Sequence, residues 1–278
     1  MLRRACRGGI LLAPEQAKEV WAAGALYEPY VGRWSRLVAR DFIEWLAVPR
    51  DAEWLDVGCG TGALSAAVLL DAAPRSLYAI DASAGFIAHA RAQLPDARAS
   101  FVVADAQTLP FGSASRDAVV SGLVLNFLPD PVQAVAETMR VLRPGGVCAA
   151  YVWDYTGKME MMRLFWDAAV ALDPRALALD EGRRFPLCRA QALGDLYVGA
   201  GLRGVEVRAI DVPTRLRDFD DYWSPFLGGQ GPAPGYVVSL GLAQRERLRD
   251  CLRARLPLAD DGAIALSARA WAVRGYAH

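Results

Sequence analysis

Histidine is almost missing from this chain of 278 residues: His89 and His278 are the two present, and the second is the last residue. Imidazole is the usual proton carrier near neutral pH, so chemistry that depends on a histidine base has little to draw on. His89 falls in a helix on the far side of the expected crevice, where a surface or packed histidine is the simpler reading. Cysteine is sparse as well. Cys6, Cys59, Cys148, Cys188 and Cys251 are odd in number and scattered, with neither a C-x-x-C pair nor metal-ligand spacing to the histidines. That excludes a disulfide framework and a zinc site and suits a reducing cytoplasm. No charge of one sign prevails, since Lys+Arg and Asp+Glu both number 31. Without a basic field, nucleic acid is disfavoured as a partner. Long apolar runs are absent too: after the basic start, Ile10-Leu11-Leu12-Ala13 is cut by Pro14, too short for a signal peptide or a membrane span. Residues 1–14 therefore read as a flexible tail, and 15–278 as one domain.

What is present is apolar and periodic. At 54% hydrophobic and 22% charged residues, the chain can bury a substantial core. Its organising stretch is Glu53-Trp54-Leu55-Asp56-Val57-Gly58-Cys59-Gly60-Thr61-Gly62. A short apolar strand runs there into a turn with three glycines spaced two apart, and Ala63 to Leu70 continues as a helix. Glycine in such a turn allows unusual dihedrals and lets a ligand approach without meeting a Cβ. The helix start adds free N–H groups and the positive end of its dipole.

Strand and helix then alternate. Ser76 to Asp81 and Ser100 to Asp105 are strands ending in aspartate, and Ser83 can cap a helix carrying Phe86, Ile87 and Ala90. Asp117 to Leu125 is a fourth apolar run, Pro131 opens the next helix, and Arg143-Pro144-Gly145-Gly146 ends it before a fifth strand, Val147 to Trp153. Such alternation is the signature of an open parallel α/β sheet, whose ligand sits beyond the carboxyl ends of the strands. Asp56, Asp81 and Asp105 are accordingly expected to converge on one crevice and bind an adenosine. A nicotinamide dinucleotide is the alternative. Against it stand the Gly-x-Gly-x-Gly spacing and the negative charge of Asp56 where a pyrophosphate would lie.

Asp56-Val57-Gly58-Cys59-Gly60-Thr61-Gly62, Asp81, Val103 to Phe111 and Leu142-Arg143-Pro144-Gly145-Gly146 resemble, in order, the motifs of class I S-adenosylmethionine-dependent methyltransferases. The likeness is to the small-molecule branch called methyltransferase type 11, and it covers about residues 53 to 153. It implies a doubly wound, mostly parallel seven-stranded sheet with an antiparallel last strand, and S-adenosyl-L-methionine as cofactor. It also implies roles. Asp56 and the turn Gly58, Cys59, Gly60 and Gly62 would face the methionine part, Asp81 with Ala82 the ribose, and Asp105 with Ala106 and Gln107 the adenine edge. The region Leu123 to Phe127 would stand beside the sulfonium, with Leu123 as a cofactor contact.

The remaining sequence suits a cap over that crevice. Before the first strand, apolar stripes run through Val20, Ala23, Leu26 and Tyr27 and through Trp34, Leu37, Val38, Phe42, Trp45 and Leu46. After the fifth strand, residues 155–200 and 216–262 are expected to form cap elements, the latter inserted between strands at Val205 to Val212 and Ile264 to Val273. Tyr27, Tyr30 and Asp154 are the polar candidates nearest the acceptor, and Arg33, Trp34, Asn126, Trp153 and Trp223 the candidate substrate contacts. Asn126-Phe127-Leu128-Pro129 partly resembles the Asn-Pro-Pro-aromatic signature of amino-group methyltransferases, with Phe127 in place of the first proline. The chemistry expected is in-line methyl transfer to a small molecule by positioning, carried out by a monomer or homodimer with no membrane partner. A non-catalytic cofactor-binding sensor or partner subunit is the second reading, recognisable by a crevice plugged with Tyr30 or Trp223, and a nicotinamide-dependent reductase is the third.

Overall fold

A computed structural model describes residues 32–228 and 231–278. Tyr27, Tyr30, Cys6, the tail and the first apolar stripe lie outside the described residues.

Seven strands form one sheet in the order β3-β2-β1-β4-β5-β7-β6: β1 Glu53–Val57, β2 Ser76–Asp81, β3 Ala99–Val103, β4 Arg116–Gly122, β5 Leu142–Trp153, β6 Arg203–Leu216 and β7 Ile264–Tyr276. The first five pair in parallel, and β7 runs antiparallel to both β5 and β6. The expected sheet is thus the observed one. β1 lies between β2 and β4, and chain order reverses across it, which opens a crevice at its carboxyl end.

Period-two alternation explains why the central strands are apolar throughout. Trp54, Ala118, Val120, Ala149, Tyr151 and Trp153 face one core, and Leu55, Val57, Val119, Cys148, Ala150 and Val152 the other. The first core is closed by α1 (Arg33–Leu46), which buries Trp34, Val38, Phe42, Ile43 and Leu46 at helical spacing. Phe42 meets Tyr151 edge-on at 4.9 Å.

The crossovers start where the sequence places them. Ser83 accepts from the backbone of Phe86 at the start of α3 (Ala84–Gln93). Asp130 accepts from Gln133 ahead of Pro131 in α4 (Pro131–Val141). α2 (Ala63–Ala67) continues in wider turns to Ala72. Residues 143–146 do not separate α4 from β5 as expected: β5 starts at Leu142, and its register with β4 jumps from Arg116↔Leu142 to Ala118↔Val147. Pro144, without an N–H, and Gly145 at φ +79° carry the chain around that bulge.

Beyond β5 come α5 (Glu160–Leu172), the single turn α6 (Glu181–Arg184) and α7 (Ala190–Gly199). Between β6 and β7 lie α8 (Phe219–Trp223), α9 (Pro232–Ser239) and α10 (Leu242–Arg255). Phe226 stacks on Phe165 of α5 at 4.5 Å, joining the segment after β5 to the one after β6. No helix among the described residues is long and apolar enough to cross a membrane.

Candidate active site

At the carboxyl ends of β1, β2 and β4 lies a cavity of about 480 Å³. Its inner end is the glycine turn. Gly58, Gly60 and Gly62 all have positive φ, at +74°, +52° and +92°. They differ in what a side chain would meet. A Cβ on Gly58 would lie 2.4 Å from Val124, and one on Gly62 2.8 Å from Leu94, whereas one on Gly60 would meet nothing within 4 Å. Two of the glycines make room for packing, and the middle one leaves room in the cavity.

Asp81 ties the turn to β2. Its Oδ2 accepts from the Gly60 amide at 3.0 Å and its Oδ1 from the Ser83 amide at 2.8 Å. Each carboxylate oxygen retains a lone pair, and Asp81 lines the cavity with Ala82, Ser83 and Phe86. Burial raises its pKa, an effect the two amides oppose. On the β4 side the wall is Gly122, Leu123 and Val124. Leu123 takes φ +64° and donates its amide to Tyr151 at 2.8 Å. A branched residue in the left-handed region is strained, and here that strain sits in the cavity wall.

The expected convergence of three aspartates is reached by one. Asp56 is fully buried beneath the turn, where Ser65 Oγ donates to its Oδ2 at 2.6 Å and its Oδ1 has no partner. Burial above all pushes its pKa up to about 7, against the Ser65 bond and aided by Asp81. Strand alternation is the reason: Asp56 points into the helix-packed face and not along the strand. Asp105 is exposed and folds back to accept from the Gln107 amide at 2.8 Å. Gln107 in turn accepts from the Asp130 amide at 3.0 Å, and Ala106 is core. None of these three residues lines the cavity. Gly62 and Asn126 are outside its wall too, while Gly58, Cys59 and Gly60 are in it.

The outer end is mainly aromatic: Phe127, Tyr151, Trp153 and Tyr155, with Ser35, Glu181 and Pro232. Of the expected substrate contacts, Trp153 is here. Trp34 is core, and Arg33 stacks on it at 4.8 Å while pairing with Asp221 at 3.3 Å. Trp223 is also core, packed with Phe219 and Phe226, so it does not plug the crevice. Asp154 is off the wall as well. Its carboxylate accepts from Thr156 Oγ1 and from the amides of Gly157 and Lys158 at 2.8 to 3.1 Å, holding the loop after β5. Phe127 closes the stretch expected beside the sulfonium, whereas Glu181, Tyr155 and Pro232 were not singled out by sequence. Glu181 sits in Asp180-Glu181-Gly182-Arg183-Arg184, a charge pattern that reads as a solvated turn.

Among the described residues no group of His, Cys, Asp and Glu could hold a metal ion. Residues 55–150 match the family model described as a methyltransferase domain. A malonyl-[acyl-carrier protein] O-methyltransferase of Hahella chejuensis is 30% identical over 191 residues, covering 68% of this chain and 63% of that protein. A ubiquinone/menaquinone biosynthesis C-methyltransferase of Desulfotalea psychrophila is 28% identical over 63% of this chain and 74% of its own length. The chain spans less than two thirds of the first of these, and 25% of a bifunctional biotin-biosynthesis protein of Cellvibrio japonicus. In fold it is similar to a Haemonchus contortus phosphoethanolamine N-methyltransferase solved with phosphomonomethylethanolamine and S-adenosylhomocysteine. The TM-score is 0.55 at 14% identity, over 92% of this chain and 57% of that one. By the ordered match from β1 to β5, residues 55–150 form a methyltransferase domain, set in the sheet topology of the class I S-adenosylmethionine-dependent methyltransferases.

Proposed function

We propose that the chain methylates a small, largely apolar acceptor in the cytoplasm, acting as a monomer or homodimer, with residues 53–153 holding the cofactor and 155–200 and 216–262 capping the acceptor. One observation carries this reading: a single cavity joins the glycine turn and Asp81 to an aromatic outer end. The open space at Gly60 supports a close backbone approach by the cofactor. The spare lone pairs of Asp81 suit a ribose diol, and the Gly60 and Ser83 amides hold that carboxylate in place. S-adenosylmethionine supplies an electrophilic methyl group on a sulfonium. The protein's share is alignment, which can contribute on the order of 7–11 kcal/mol when the reacting atoms are held about 3 Å apart. Leu123, fixed by Tyr151, and the aromatic walls shape that approach and exclude water. The balanced charge and free cysteines support a small molecule in a reducing compartment.

Calorimetry with S-adenosylhomocysteine tests the reading. The parent protein is expected to bind, NADH is not, and Asp81→Ala should bind about 10-fold or more weakly through lost charge-assisted bonds. No heat and no thermal shift with the parent protein would overturn it.

A further inference from the structure

Glu181 is a buried carboxylate in an apolar wall. It is 2% exposed, on the one-turn helix α6. Asp180 accepts from the Gly182 amide at 2.9 Å and pairs with Arg163 of α5 at 2.8 Å, pinning that turn against the cap. Arg189 donates to the Gly182 carbonyl at 2.9 Å from the other side. Glu181 Oε2 accepts from the indole Nε1 of Trp166, which fixes the carboxyl plane. The side chain lines the outer end of the cavity together with Phe127, Tyr151, Trp153, Tyr155 and Pro232. Asp81 is the only other carboxylate in the described wall, and it stands at the inner end.

A carboxyl group placed among aromatic rings costs several kcal/mol to ionise and is kept only where something offsets that cost. Resting on the function proposed above, we propose that Glu181 binds the acceptor through an O–H or N–H and takes up its proton as the methyl group is transferred, so that the acceptor is a hydroxyl or amine compound and not a carboxylate. The step balances. The X–H proton passes to a Glu181 oxygen, and the electron pair on X forms the bond to the methyl carbon. The carbon–sulfur bond breaks with its pair left on sulfur, and the protonated Glu181 later returns the proton to solvent. Burial pushes the Glu181 carboxyl up to about 8; its own backbone amide, the Trp166 bond and Arg184 oppose that shift, and Asp180 adds to it. The charged groups facing it are Asp180 with its partner Arg163, Arg184 and, beyond the carbonyl of Gly182, Arg189. The base is therefore formed as pH rises through about 8, without a histidine.

The full chain saturated with S-adenosylhomocysteine is titrated with naphthol, tryptamine or naphthoate at about pH 6.5 and about pH 8.5, on either side of the carboxyl transition. With the parent protein, naphthoate should weaken about 10-fold or more between the two pH values through like-charge repulsion, while naphthol or tryptamine does not. The arm that binds tells hydroxyl from amine. Glu181→Gln, which can still accept from Trp166, should lose the pH dependence toward naphthoate and bind S-adenosylhomocysteine as the parent does. Methyl transfer to the bound arm should fall by about 100-fold or more in the variant, with KM for S-adenosylmethionine unchanged. The proposal is overturned if naphthoate binds the parent equally at both pH values, if the variant keeps the pH dependence or the rate, or if neither naphthol nor tryptamine binds. Failure of S-adenosylhomocysteine to bind the parent would instead strike the cofactor reading.

Discussion

The inner wall of the cavity comes from Gly58 to Thr61 with Ala63 and Leu64, from Asp81 to Ser83 with Phe86, and from Gly122 to Val124, at the ends of three neighbouring strands. The outer wall comes from Ser35 on α1, Tyr155 after β5, Glu181 on α6, Phe127 before α4 and Pro232 on α9, with Tyr151 and Trp153 as its floor. At the inner end the turns after β1 and β2 obey local rules: glycine where φ is positive, a carboxylate where amides converge, a hydroxyl cap at a helix start; the turn after β4 departs from them, with Leu123 at φ +64°. At the outer end the groups come from five separate stretches of chain, and side chains meet only after the helices beyond β5 and β6 have packed. The first is a property of short sequence, the second of tertiary contact. Variation in acceptor is therefore expected at the outer wall while the inner wall stays as it is.

The largest expected effect contrasts a carboxyl under the inner end with one in the outer wall. Folding raises the Asp56 pKa from 3.8 to about 7 and that of Glu181 from 4.5 to about 8, burial being the chief cause of both. Across each window the folded state holds a proton that the unfolded state has lost. Stability therefore falls as pH rises through the window, by on the order of 4 kcal/mol per group. Urea unfolding against pH should show Asp56→Asn matching the parent at about pH 4 and exceeding it above about pH 7. Glu181→Gln should do the same with the divergence completed about one pH unit higher. If both variants follow the parent slope, the two carboxyls are not held protonated and the comparison fails.

Two glycines of one turn sharpen the contrast between packing and binding. Gly58→Ala must place a Cβ 2.4 Å from Val124 Cγ2 at φ +74°. Left-handed strain and overpacking together should cost about 2–4 kcal/mol, read by chemical denaturation. Gly60→Ala meets no protein atom within 4 Å, so its stability cost should be about 1 kcal/mol. Its methyl group stands instead where the cofactor is proposed to approach. S-adenosylhomocysteine should then bind roughly 10- to 100-fold more weakly. Equal affinity in Gly60→Ala would move the cofactor away from the turn.

The same division accounts for what could be read from sequence. The β1 turn, the Ser83 cap and the helix start at Pro131 follow from glycine placement, capping chemistry and period, and the antiparallel β7 is what the methyltransferase resemblance implied. The direction of Asp56 did not, because a carboxylate at a strand end can point along the strand or into a face, and Ser65, nine residues on, decides it. The place of Asp105 was not legible either, because its own turn, closed by Gln107, holds it outside the cavity wall. Trp34, Trp153 and Trp223 look alike as residues. Only the packing of α1 and of α8 against Phe226 separates the core pair from the one in the wall. Glu181 carries no sequence signal, since burial of a charged turn depends on Arg163 and Trp166 reaching it from α5.

The smallest expected effect lies at the opposite edge of the sheet. Arg143, in the bulge before the paired part of β5, reaches Asp117 at 2.7 Å and also Glu53, while Asp117 accepts from the Glu53 amide at 2.8 Å. This clamp joins β1, β4 and β5 at their amino ends, the full length of the strands away from the glycine turn. All three side chains are 28 to 39% exposed, so solvent screens them and Arg143→Ala should cost only about 1 kcal/mol. Salt should lower the parent toward the variant. Because β1 carries the turn through five residues of continuous pairing with β2, a loosened amino end should leave S-adenosylhomocysteine affinity within about twofold, below about 0.4 kcal/mol. A larger loss would mean that the strand transmits strain from one edge to the other, and that the inner end of the cavity depends on distant contacts as much as the outer end does.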